Sequence, residues 1–105
     1  MKIYFIYVTF GSFKEAKRLG GQLVKNKLAA CTNIIPEIYS TYVWKNKTMV
    51  DKECSMIVKT SKPKVEAAIK FIVKKHSYEC PAVSAFPIDS AHVDFKKWIY
   101  EQTKG

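Results

Sequence analysis

Cys31, Asp51, Glu53, His76, Glu79 and Cys80 are side chains that could hold a metal ion or move a proton in this chain. Imidazole and thiolate suit copper or zinc, and carboxylates suit harder cations. His76 and Cys80 are four apart, a spacing that shares a face only within a helix, and Tyr78 and Pro81 predict a chain turn there instead. His76 ends an apolar stripe, where a histidine commonly packs or caps. Cys31 sits in a run of small residues, where a thiol commonly behaves as a small hydrophobe. Asp51 and Glu53 share one face of a predicted strand. They can pair with Lys45, Lys47 or Lys59, or in three symmetry copies form a carboxylate cluster for a hard cation. His76, Cys31 and Asp51 are the candidate metal ligands.

Other chemistries find less support. Cys31, His76 and Glu79 are the types of a nucleophile, a base and an orienting group, but nothing in their spacing makes them converge. No enzyme is expected. Gly20-Gly21 falls inside a helical pattern with no Lys-Ser/Thr after it, so no phosphate-cradling loop is present and no organic cofactor is expected. The 18 basic against 9 acidic residues give a formal charge of +9, which raises nucleic acid as a partner. The lysines, however, are spread over Lys14–Lys17, Lys25–Lys27, Lys62–Lys64 and Lys74–Lys75, mostly on polar helix faces. The Arg/Lys-Gly-Phe pattern of an RNA-binding sheet is absent, so nucleic acid is not expected. Three cysteines without a CxxC pair argue against a disulfide scaffold and a closed zinc site, and fit a reduced, cytoplasmic setting. The apolar start at Ile3 lacks a cleavage site and reads as a strand rather than a signal peptide. No stretch approaches the roughly 20 apolar residues that span a bilayer.

The elements that must position these groups are legible from periodicity. Ile3–Thr9 is a near-continuous β-type run. Ser12 and Glu15 have capping-box spacing, and Ala16, Leu19, Leu23 and Val24 predict a helix over about Phe13–Asn26. Gly20-Gly21 within it suits close packing on a sheet. Ala29–Trp44 is β-rich but carries Pro36, which predicts a bulge, a bend or an exposed edge. Lys45-Asn46-Lys47 is a polar turn in which Asn46 can adopt the left-handed conformation. On the return strand, about Thr48–Thr60, Val50, Cys54, Met56 and Val58 face one way and Asp51, Glu53, Ser55 and Lys59 the other. Ser61 and Pro63 open a second helix with a stripe from Val65 through Ala68, Ile69, Ile72 and Val73 to His76. Ala82–Ile88 predicts a short strand. Asp89 or Ser90 caps a last helix over about Ala91–Thr103, with Phe95, Trp98 and Ile99 as its buried side.

The order β-α-β-β-α-β plus a helix predicts an α+β, ferredoxin-like sandwich in a single domain over residues 1–105. Two central strands of that length must overhang their own sheet. Uncovered edges invite aggregation, so partner copies are expected to cover them.

Several blocks in the right order carry a resemblance. They are Val8-Thr9-Phe10, Lys27-Leu28-Ala29-Ala30-Cys31-Thr32-Asn33-Ile34-Ile35-Pro36, Tyr42-Val43-Trp44-Lys45-Asn46-Lys47, Glu53 with Ile57-Val58-Lys59-Thr60, and His76-Ser77-Tyr78-Glu79-Cys80-Pro81. With Phe95 and Trp98 in the final helix, the chain resembles the CutA family of divalent-cation tolerance proteins over essentially its whole length. The resemblance implies a homotrimer formed through long hairpins, tolerance of copper and other divalent metal ions, and no enzymatic activity. Because the family resembles PII signalling proteins in architecture, it also admits a ligand-sensing or scaffold trimer without a dedicated metal site. The sequence departs from the metal pattern of some bacterial members. Val8 stands where they have a cysteine, Lys75 where they have the first of two histidines, Ser77 where proline is usual, and Asn46 where the hairpin glycine is usual.

Overall fold

The computed structural model describes all residues Met1–Gly105. Its elements are β1 (Ile3–Phe10), α1 (Phe13–Lys25), β2 (Cys31–Trp44), β3 (Lys47–Ser61), a 3-10 turn over Lys62–Lys64, α2 (Val65–Lys75), β4 (Val83–Pro87) and α3 (Val93–Gln102). The four strands form one sheet in the order β2-β3-β1-β4, every neighbouring pair antiparallel. That is the order the split βαβ arrangement requires.

Side-chain alternation divides the sheet into two faces. Ile6, Val8 and Phe10 of β1 and Cys54, Met56 and Val58 of β3 form the main core with Ala16, Leu19 and Leu23 of α1 and Ala68 and Ile72 of α2. The intervening positions Ile3 and Phe5 meet Phe95, Ile99 and Tyr100 of α3. α3 therefore covers the opposite face, at the end of the sheet where β1 begins. Gly20 allows the close approach of α1. A Cβ there would lie 2.9 Å from Thr32 Oγ1 and 3.0 Å from Met56 Sδ, whereas one on Gly21 would meet nothing within 4 Å. Only the first glycine serves the packing expected of both.

The ends of the elements differ in detail from expectation. Ser12 Oγ accepts from Glu15 N–H at 3.1 Å, but the Glu15 carboxylate turns away to another partner, described below. α3 starts at Val93 after His92, with no side-chain cap from Asp89 or Ser90. Ile99 is buried as expected, while Trp98 remains 43% exposed and stacks on Phe95 at 6.3 Å. Val73 also lies outside the core, because α2 buries only Val65, Ala68 and Ile72 fully.

The hairpin β2–β3 outruns its sheet. β1 pairs with β3 only as far as Phe10 opposite Cys54, so Lys47–Glu53 of β3 have no β1 neighbour. At about 3.4 Å per residue this is an overhang of roughly 24 Å. A radius of gyration of 14.4 Å exceeds the roughly 13 Å typical of a compact chain this long. The register shifts between Ile35 and Ile38, at Pro36. Ahead of the bulge Ile35 faces Ser55; beyond it Ile38, Ser40 and Tyr42 take over that face, opposite Glu53, Asp51 and Met49. At the tip, Lys45 and Asn46 both have positive φ, 50° and 66°, the two-residue turn whose twist matches paired strands.

Candidate functional site

His76 is the residue after α2, in extended conformation. Its ring is buried and stacks on Phe10, with centroids 4.5 Å apart and planes 7° from parallel. The Tyr78 backbone N–H donates to Nδ1 at 3.0 Å. A backbone amide can only donate, so Nδ1 carries no proton, and Nε2–H donates to the Thr9 carbonyl at 2.7 Å. Both ring nitrogens are thus engaged. Glu15, itself buried, completes the anchor: Ser77 N–H donates to Oε2 at 2.8 Å and Ser77 Oγ to Oε1 at 2.7 Å. Glu15 and His76 together pin the segment from His76 to Pro81 to the end of β1.

That anchored segment carries Tyr78 over the end of the sheet. Its ring lies 4.7 Å from His76 and against Gly11, where a Cβ would come within 3.3 Å of the phenol oxygen. The phenol donates to Glu53, and on the next rung Tyr42 donates to Asp51. Between these pairs runs an open groove of about 560 Å³ lined by Tyr42, Trp44, Asp51, Glu53, Tyr78 and Glu79, among others. Burial first, and then the Glu53 carboxylate beside it, hold the Tyr78 phenol well above the ordinary tyrosine range. Tyr42 is raised mainly by its hydrogen bond to Asp51.

The candidate metal ligands are not brought together. Cys31 opens β2 opposite Lys59, on the α3 side of the sheet, and burial raises its thiol while Lys59 pulls it down. His76 sits at the far end of β1, and Asp51 lies out on the overhang. No three His, Cys, Asp or Glu side chains converge anywhere in the chain. Within one chain these residues do not fit a metal centre. The alternative ion pairs of Asp51 and Glu53 with lysines are absent too, since no salt bridge involves either carboxylate. Lys59 instead lies over the rings of Phe5 and Phe95, at 5.2 and 5.7 Å. Tyr42, Glu15 and Tyr78 are the site residues that sequence reasoning missed. The one available signal was an aromatic two residues beyond a histidine, just ahead of Pro81.

The fold and groove define a split βαβ protein with a long aromatic and acidic hairpin. Comparison with known proteins makes the class specific. A family model described as CutA1 divalent ion tolerance protein matches residues 4–102, and the chain belongs to that family. It is 40% identical over 97 residues to the divalent-cation tolerance protein CutA of Archaeoglobus fulgidus, spanning 92% of this chain and 94% of that one. It is 35% identical over 99 residues to a chloroplastic CutA protein of Oryza sativa, spanning 94% of this chain but 56% of that protein. The chain thus spans about half the length of the rice protein, and likewise 55% of the mouse protein CutA. Among solved structures, the divalent ion tolerance protein CutA1 of Ehrlichia chaffeensis matches with a TM-score of 0.96 at 34% identity, covering 100% of this chain and 99% of that one. The curated relatives named here carry no enzyme name. No helix is long and apolar enough to cross a membrane.

Proposed function

We propose that this chain acts as a cytoplasmic homotrimer in tolerance of divalent cations, copper-type ions among them, without catalysing a reaction. The observation that carries the assembly is the overhang. Tyr39, Val43 and Val50 are 68%, 68% and 65% exposed. An apolar two-stranded ribbon of this kind is stable only when other chains cover it. Tolerance is supported by family membership and by the relative from A. fulgidus, which is named for it. The three free thiols support a reducing compartment. The non-catalytic reading is supported by the names of the relatives above, none of which is an enzyme name.

In this reading, metal held by the set His76, Cys31 and Asp51 belongs between copies rather than within one. Asp51, on the overhang, is the donor neighbouring copies reach most readily. His76 would have to give up the hydrogen bond at whichever ring nitrogen binds, the one from Tyr78 N–H at Nδ1 or the one to the Thr9 carbonyl at Nε2. A second reading, a ligand-sensing trimer of the PII type, is favoured by the groove beside Asp51 and Glu53.

One experiment tests assembly and metal together: mass in solution and metal content of tag-free protein, followed by calorimetric titration with copper and zinc. Three copies of a 12.0 kDa chain give about 36 kDa. Expected are that mass and saturable binding that weakens in His76→Ala. A stable monomer at dilute concentration removes the assembly. Absence of saturable binding removes the metal site and leaves the ligand-sensing reading.

A further inference from the structure

The groove over the hairpin has a charge pattern opposite to that of the chain. With 18 lysines and arginines in the sequence, its lining contains no Lys, Arg or His, yet includes Asp51, Glu53 and Glu79. Asp51 and Glu53 have no ionic partner. Each accepts one tyrosine hydroxyl, which leaves most of the acceptor capacity of an ionised carboxylate free. About 560 Å³ is the size of a small-molecule pocket.

Two geometric features select among cations. Asp51 and Glu53 are two residues apart on one strand face, so their attachment points are about 6.8 Å apart. Each carboxylate already accepts a tyrosine hydroxyl, and no third donor converges on the pair, so a single small ion would find an incomplete ligand shell. The spacing does suit two positive charges joined by a short chain. Tyr42, Trp44 and Tyr78 supply aromatic surface for an alkyl body and for its ammonium ends.

We propose that this groove binds an aliphatic diamine, with one ammonium on Asp51, the other on Glu53, and the carbon chain along the aromatic wall. The inference gives the ligand-sensing reading its ligand class and rests on that reading. Phosphate-bearing ligands are disfavoured here, because their charge would meet three carboxylates and no cation.

The test uses the tag-free full chain carrying Trp98→Phe, which leaves Trp44 as its sole tryptophan. 1,4-Diaminobutane is titrated at constant ionic strength, with 1-butylamine and magnesium chloride as parallel arms, while Trp44 fluorescence is followed. Expected is a saturable change with the diamine. Affinity should be at least about tenfold weaker for the monoamine, and for Glu53→Gln or Asp51→Asn in the same background. Both substitutions keep an acceptor for the facing tyrosine, so the loss reports charge. No saturable change, an equal response to magnesium, or unchanged affinity in both variants overturns the proposal. A thermal-shift arm with nucleotides and inorganic anions separates the two levels. Stabilisation by these but not by the diamine sinks the diamine and keeps the ligand-sensing trimer, and stabilisation by neither sinks both.

Discussion

At Tyr78 a single hydroxyl links the anchored segment after α2 to the hairpin, through Glu53. Burial and the Glu53 carboxylate both oppose loss of its proton, so the phenol titrates above its unfolded value of about 10. A group whose pKa is raised on folding contributes stability that is complete below the unfolded value and is lost as pH rises through the folded one. The stability difference between the wild-type chain and Tyr78→Phe should therefore be constant from neutral pH to about pH 10 and shrink above it. Denaturant unfolding of both proteins across that range measures this. A difference that declines already around neutral pH would assign the effect to another group. His76 is the other critical residue. Its two hydrogen bonds and its stack on Phe10 make it a structural anchor within one chain.

Among the elements, α1 shows how one residue type serves two purposes. Gly20 faces Thr32 and Met56 at near-contact distance, whereas Gly21 faces open space. Gly21→Ala should stabilise the chain by about 1 kcal/mol through helix propensity alone. Gly20→Ala gains the same propensity but forces α1 off the sheet, and should destabilise by about 1–2 kcal/mol net. Chemical denaturation of the two single variants checks the pair, and equal effects would mean that α1 is not held close to the sheet. The exit of α1 is equally specific. Lys27 takes a positive φ of 59°, while Lys27 N–H donates to the Val24 carbonyl and Leu28 N–H to that of Leu23. This is the Schellman closure, formed here without glycine.

For the whole molecule, the overhang decides the behaviour. Val43 and Val50 are exposed on the part of the hairpin with no β1 beside it. A charge at these positions leaves the chain's own core untouched. Val43→Asp with Val50→Asp should lower the solution mass toward that of one chain. Far-ultraviolet circular dichroism should stay unchanged outside the hairpin. Light scattering over a dilution series measures the shift, and an unchanged mass would place the assembly surface elsewhere. The same region carries Asp51, so loss of assembly and loss of any cation bound between copies should occur together.

Periodicity and punctuation determined the elements of this protein. Alternation in Thr48–Thr60, the stripe from Val65 to Ile72, and turn chemistry at Lys45-Asn46 are local properties, and each survives in the fold. The overhang was legible too, because strand length is a count of residues. What required tertiary structure was the company each polar group keeps. Glu15 abandons its own helix cap for Ser77, Asp51 and Glu53 take tyrosines instead of lysines, and the bulge at Pro36 decides which residues share a face with Asp51. A carboxylate bonds to whichever donor the sheet register brings within about 3 Å, and the donors of these three come from residues 9 to 62 positions away. No spacing rule along the chain reaches that far.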